Sequence, residues 1–284
     1  METILLIDGK NTVYRTLFAS RKNREFAKYH PFAVWLRFTH VWLEKFRPDA
    51  VHVFWDCPKD EIWRKRVLNE YKAHRGDMPH YDEDVQLELR KTISAARAVL
   101  PYMGVRQYYR EHQECDDLIY SACRVLTPSK PNIRKVIIIS SDSDFKQLQW
   151  SMEHVSLYLP KDQKFADSSS CDPAIKKALS GDKADNIEGF RGVGPVKSEH
   201  LASNPKKLIE FLDLSDIKKF KRNLALIDLS MNPGHLNNEI YIYRMMAQDV
   251  EFNKAKINEL GIEHKVKGLM SEYARIAVAF KRLK

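Results

Sequence analysis

The sequence predicts an α/β protein with a mostly parallel central sheet flanked by helices, followed by a helical C-terminal part. Two observations predict it. Short apolar runs rich in β-branched residues alternate with amphipathic segments as far as residue 159, the βα order that builds parallel sheets. After about residue 171 the strand signals fade and helix-like patterning takes over.

Each element has a local reason. Residues 3–8 (TILLID) are apolar from Ile4 to Ile7 without alternation, as in a strand buried on both faces. Residues 11–19 read as a helix and 21–29 as a polar, basic loop. Residues 31–46 are an amphipathic helix with Pro31 at its start, where a missing N–H costs nothing. Residues 50–56 (AVHVFWD) are a second strand. A helix over 84–100, an aromatic strand over 105–109 and a helix over 116–126 follow. Residues 135–141 form a strand, 145–150 a helix and 155–159 another strand. No internal repeat is visible. The expected division is an α/β core over 1–170 and a helical part over 171–284.

Bulk properties narrow the function. The chain has 284 residues, 44% hydrophobic and 30% charged, which suits one large domain or two smaller ones. No apolar run approaches the ~20 residues that span a bilayer. The first nine residues hold an acid at Glu2 and too short an apolar run for a signal peptide. No membrane partner is expected, and the expected location is the cytoplasm. Cys57, Cys115, Cys123 and Cys171 form no C-x-x-C pair and no zinc spacing with histidine, so they read as buried thiols in a reducing compartment. The net charge of +9, from 47 Lys+Arg against 38 Asp+Glu, suggests a polyanionic partner.

The carboxylates sharpen this. The first strand runs into Asp8, the second into Asp56, and VIIISS into Asp142 and Asp144. One such Asp is an ordinary turn or capping residue. Three strands delivering Asp at their carboxyl ends place negative charge where open α/β sheets keep their ligand crevice. Glu114, Asp116 and Asp117 open the helix after the aromatic strand, more acids than a helix dipole needs. Asp182 and Asp185 stand three apart in GDKADN. Nine hard oxygen donors near turns suit Mg²⁺, with Mn²⁺ as a substitute. They are too many for one octahedral ion, whereas two ions about 4 Å apart serve phosphodiester hydrolysis.

Residues 59–75 (KDEIWRKRVLNEYKAHR) form a basic helix-loop in which Arg64, Lys65, Arg66, Lys72 and Arg75 are interleaved with Trp63, Tyr71 and His74. A solvated basic helix is one reading. A phosphate-contacting segment is the other, with Lys72 or Arg75 neutralising charge on the scissile phosphate. Gly192-Val193-Gly194 precedes a helix beginning near Pro195, a place where backbone N–H groups can meet a phosphate.

The segments LLIDGKN, VFWD, EYKAHRGDMP, ECDDLIYSA, IIISSDSDFKQL and GDKADNIEGFRGVGPVK, in that order, resemble the flap-endonuclease superfamily of 5′-nucleases. That group includes the 5′-nuclease domain of bacterial DNA polymerase I and phage 5′-exonuclease/RNase H enzymes. Residues 221–233 (KRNLALIDLSMNP) resemble the phage branch. The resemblance implies a PIN-like fold, an arch or clamp over about 58–84, and a helix–three-turn–helix element over about 181–202 that grips duplex DNA with K⁺ at its glycine hairpin. It implies that Asp8, Asp56, Glu114 and Asp116 hold a first metal ion. Asp117, Asp142, Asp144, Asp182 and Asp185 would hold or orient a second. Lys72 and Arg75 match the catalytic basic pair of the arch; Arg64, Arg66, Tyr71, Gly192, Gly194 and Lys197 fall in DNA-binding segments. The implied activity is cleavage of 5′ flaps, nicks and duplex ends and removal of RNA from RNA–DNA hybrids, in host cytoplasm if phage-encoded. A single-strand binding protein or a sliding clamp extends the expected partners. Three positions depart from the pattern: Lys10 after Asp8-Gly9, Cys115 within the acidic turn, and Phe190-Arg191 before Gly192. A non-catalytic junction-binding protein on the same scaffold is the alternative. A phosphohydrolase for small phosphates would leave the basic segment without purpose.

Overall fold

The computed structural model describes all residues except 1, 59–60, 77–81, 128–134, 251, 282 and 284, and excepting the side chains at 75–76 and 214–215. The α/β half contains β1 (Thr3–Asp8), α1 (Gly9–Lys22), α2 (Pro31–Phe46), β2 (Ala50–Phe54), α3 (Arg64–Val67), α4 (Glu83–Val99), β3 (Arg106–Tyr108), α5 (Cys115–Leu126), β4 (Lys135–Ile139), α6 (Lys146–Ser151), β5 (Val155–Leu159) and β6 (Lys164–Phe165). The second half contains α7 (Pro173–Ser180), a small hairpin of β7 (Gly181–Asp182) and β8 (Ile187–Glu188), α8 (Pro195–Ala202), α9 (Pro205–Phe211), α10 (Leu214–Ile227), α11 (His235–Met246), α12 (Lys254–Glu263) and α13 (Leu269–Phe280).

The main sheet has the order β3-β2-β1-β4-β5-β6, parallel throughout except for β6. β1 is central. Its Leu5 and Ile7 enter one core with α1, α2 and α4, while Ile4 and Leu6 enter the other with α5. That is the two-fold alternation of a strand with helices on both faces. Burying each such side chain contributes about 1.5–3 kcal/mol. The strand order reverses at β1, so the crevice beyond its carboxyl end lies at the switch point of the sheet.

The strands end earlier than the sequence suggests. β2 stops at Phe54, and Asp56 has left the ladder. β4 stops at Ile139, and the next residue, Ser140, turns its hydroxyl onto Asp8. The basic segment is not one helix: only α3 is α-helical, followed by a 3₁₀ turn at Ala73–Gly76. Lys72 breaks the run with a left-handed φ of 59°. The expected arch over 58–84 falls partly outside the described residues.

Element content changes near residue 171, but the hydrophobic core does not divide there. α13 returns to the α2 face, placing Leu269, Tyr273, Ile276 and Phe280 in the core of Leu5 and Ile7. On that interface Arg37 pairs with the buried Glu272 at 2.6 Å. α11 packs on α5 and puts Ile242 in the opposite core. A smaller cluster of Leu179, Phe190, Val193 and Leu201 holds α7, the hairpin and α8 together. Here Phe190 is an anchor: it is buried, and its N–H donates to Leu179 O at 2.8 Å. Gly181 has φ +80°, and a Cβ there would lie 2.4 Å from Gly189 N, so the hairpin closes only with glycine at that point. Among the described residues no helix is long and apolar enough to cross a membrane.

Candidate metal centre and nucleic-acid interface

A cavity of about 400 Å³ opens at the switch point, lined among others by Asp8, Lys10, Asp56, Lys72, Glu114, Asp116 and Asp142. Asp8 is the residue between strand and helix. Its side chain caps α1 by accepting from Asn11 N at 3.0 Å and accepts the Ser140 hydroxyl at 2.9 Å. Burial, then the neighbouring Asp56, push its carboxyl up to about 7. Asp56 accepts the Cys115 N–H at 2.9 Å and pairs with Lys10 at 2.9 Å. Burial would raise Asp56, but Lys10 and that N–H outweigh it and hold it below the usual carboxylate range. Asp116 is raised well above that range, first by burial and then, against the pull of Arg64, by Asp117 and Glu114.

A second group lies at the hairpin. Asp144, Asp182 and Asp185 bring carboxylate oxygens within 4.8 Å of one another. Asp144 is held by the turn after β4, whereas Asp182 and Asp185 follow the glycine corner, where Asp182 accepts the Ala184 N–H at 2.8 Å. Lys177 of α7 bridges Asp144 at 2.5 Å and Asp182 at 2.6 Å. Burial and then Asp142 raise Asp144 to about 6 despite that lysine. Lys72 joins the two groups, 2.5 Å from Glu114 and 3.7 Å from Asp185.

The structure groups the acids differently from the sequence reading. Asp142 lines the first cavity rather than the second group. Asp117 is fully buried and held by four donors: Trp63 Nε1, Arg64 Nη1 and the Glu114 N–H all donate to one oxygen at 2.9–3.0 Å, and Arg64 Nη2 donates to the other at 2.9 Å. Its oxygens stand in one carboxylate group with Glu114 and Asp116, not with the hairpin acids. Arg64 and Tyr71 are corrected as DNA contacts because both are buried. Arg64 is 1% exposed, its guanidinium spent on Glu114, Asp117 and the Leu226 carbonyl. Tyr71 is 2% exposed and donates to Asp185 at 3.0 Å. Neither is open to a DNA backbone; both brace carboxylates from beneath. Arg66, Gly192, Gly194 and Lys197 are exposed, as a surface contact requires. Arg75 lies in the 3₁₀ turn, with its side chain outside the described residues.

Sequence reasoning missed Lys177 and Ser140, and read Trp63 only as part of the basic segment, where it in fact donates to Asp117. A signal existed for Lys177: it stands five residues before Asp182, on the helix that enters the acidic hairpin.

The donor set fits divalent cations. Among the described residues nine carboxylates gather around Lys10, Arg64, Lys72 and Lys177. That leaves more negative than positive charge in a buried place, and the carboxyls of Asp8, Asp116 and Asp144 are raised first by that burial and then by their acidic neighbours. All donors are hard oxygens, the choice of Mg²⁺ and Mn²⁺.

Known proteins share this architecture. The chain matches the model of the 5′-3′ exonuclease N-terminal resolvase-like domain over residues 3–176. It is 31% identical over 219 residues to a 5′-3′ exonuclease of Mycoplasma pneumoniae, covering 71% of this chain and 72% of the relative. It is 28% identical over 225 residues to the flap endonuclease Xni of Shewanella denitrificans, covering 76% and 83%. A bacteriophage T5 flap endonuclease solved with DNA and metal ions shares its fold with a TM-score of 0.65 at 17% identity, over 93% of this chain and 98% of that one. With the acids of β1, β2, α5 and β4 inside the matched region, the chain belongs to the 5′-3′ exonuclease family.

Proposed function

We propose that this protein is a structure-selective 5′-nuclease that hydrolyses phosphodiesters at 5′ flaps, nicks and duplex ends with two divalent ions. Mg²⁺ is the expected ion, with Mn²⁺ able to replace it. The observation that carries the reading is the convergence of acids from three strand ends, the α5 turn and the hairpin beside exposed Arg66 and Lys197. Asp8, Asp56, Glu114, Asp116 and Asp142 would hold the first ion, and Asp144, Asp182 and Asp185 the second. When bound, such ions supply water activation and charge neutralisation on the phosphate.

The chain's own groups do the rest. Arg64 and Asp117 fix the direction of Glu114. Lys72, 11% exposed at the cavity wall, reaches the scissile phosphate and offsets its charge. Gly192 and Gly194 offer backbone N–H groups and Lys197 an ammonium to the duplex backbone, a contact that positions without reading sequence. Potassium at the glycine turn and RNA–DNA hybrids as substrates belong to the same proposal. The test is a 5′-labelled flap on duplex DNA with Mg²⁺ or with EDTA. Cleavage near the junction only with Mg²⁺ is expected; binding without cleavage in any divalent metal would leave a junction-binding protein.

A pH dependence follows from Asp8. Its carboxyl titrates near 7 in the metal-free protein and must lose its proton to ligate. Lowering pH from 7 to 6 is therefore expected to weaken Mg²⁺ binding about fivefold, one proton being displaced. Calorimetric titration without DNA at pH 6, 7 and 8 measures this. Equal affinity at all three would show Asp8 ionised throughout.

A further inference from the structure

Next to the second acidic group lies a cavity of about 460 Å³ that the proposed chemistry does not use. Asp144 and Lys177 form its shared wall with that group. The opposite walls come from the start of α6 and from the serine run Ser168-Ser169-Ser170 before α7. The hydroxyls of Ser143, Ser168 and Ser169 and the ammonium of Lys146 line it, and none of the four has a hydrogen bond or ion pair within the described chain. Elsewhere in the same wall, polar groups are engaged. Ser170 and Lys176 both hold Glu199 of α8, at 2.5 and 2.6 Å, and tie the cavity to the hairpin unit. Asp167, the other acid of the lining, is 85% exposed and paired with Lys164.

Ser143 and Ser168 are exposed and Ser169 and Lys146 half-buried, so three hydroxyls and an ammonium reach one solvent-open space without a protein partner, the donor set of an oxyanion that arrives from solvent. A phosphate oxygen accepts from all four, and the Lys146 ammonium disfavours a cation in the same space. We propose that this cavity is a phosphate subsite, with Lys146 as its charge and Ser143, Ser168 and Ser169 as its hydrogen-bond donors. It holds one backbone phosphate of the nucleic acid, close to the one being cleaved. The assignment rests on the nuclease reading. It also extends it, because the subsite fixes the strand on the Asp144 side, where the exposed residues of α3 and α8 do not line the wall.

Binding of a 5′-flap DNA in EDTA, where no cleavage follows, tests the subsite. Lys146→Ala is expected to weaken binding about fivefold and to lower the slope of log K against log salt by about one, as for loss of one phosphate contact. A scan with single neutral methylphosphonates then locates the contact. In wild type one linkage near the cleavage point should cost a similar factor, and in Lys146→Ala the same linkage should cost nothing more. Ser169→Ala, which removes no charge, should weaken the same linkage without changing the salt slope. Equal binding by Lys146→Ala and wild type, or a loss in the variant that maps to no single linkage, would overturn the proposal. Lys146-dependent binding of inorganic phosphate with DNA binding unaffected would overturn it in favour of a small-anion site. If wild type does not bind flap DNA at all, the nuclease reading falls and the subsite with it.

Discussion

Asp8→Asn is expected to lower flap cleavage by about three orders of magnitude, at the upper end of what one preorganised polar group contributes, with DNA affinity kept or tightened. Asp8 stands at the switch point, between the strand ends that carry Asp56 and Asp142, and burial keeps it from being replaced by a solvent-borne ligand. Asparagine keeps the shape and the oxygen that caps α1, so the fold survives while an anionic donor is lost. Affinity holds because a negative charge has been taken from a place that faces a polyanion. Single-turnover cleavage and equilibrium binding on the same flap separate the two effects. Turnover within tenfold of wild type would remove Asp8 from the metal centre, and loss of binding together with cleavage would point to a damaged fold.

Arg64→Met carries the largest expected effect on stability. The guanidinium is the counter-charge of Asp117 and Glu114 in a space closed to water. Removing one partner of a buried ion network leaves the others uncompensated, at a cost of about 3–5 kcal/mol. For a chain of this size that is a fall of about 5–8 °C in melting temperature. A thermal melt in EDTA measures it. The double variant Arg64→Met/Asp117→Leu should recover part of the loss, since it removes a charge together with its counter-charge. An unchanged melting temperature with weakened DNA binding would return Arg64 to the surface contact that its basic neighbours suggest.

That contrast marks where the sequence stops being legible. Strand ends were readable because their causes are local: an unbroken apolar run reports burial on both faces, and an Asp after it reports a turn. Asp8, Asp56, Asp142 and Asp144 were therefore found in the right places on the fold. The fate of Arg64 is set by residues 50 and more positions away, Glu114 and Asp117, and by the Leu226 carbonyl beyond them. Within its own segment it is one of several basic residues, and a basic run looks exposed. Asp117 shows the reverse case. Its spacing from Glu114 announces a shared helix face, but not that Trp63 and Arg64 already occupy its oxygens. The helical half was readable only in outline, because the hairpin depends on contacts such as Gly181 against Gly189 that no periodicity records.

The return of α13 to the α2 face has a consequence in time. Leu36 on α2 and Leu269 on α13 belong to one core, and more than two hundred residues of synthesis separate them. At the usual pace of translation that is on the order of ten to forty seconds. Through that interval the nascent chain carries the apolar face of α2 without its final cover. The sheet can pair early, but the core beside it is sealed only when α13 leaves the ribosome, so ribosome-associated chaperones have a long and well-defined interval in which to act on this protein.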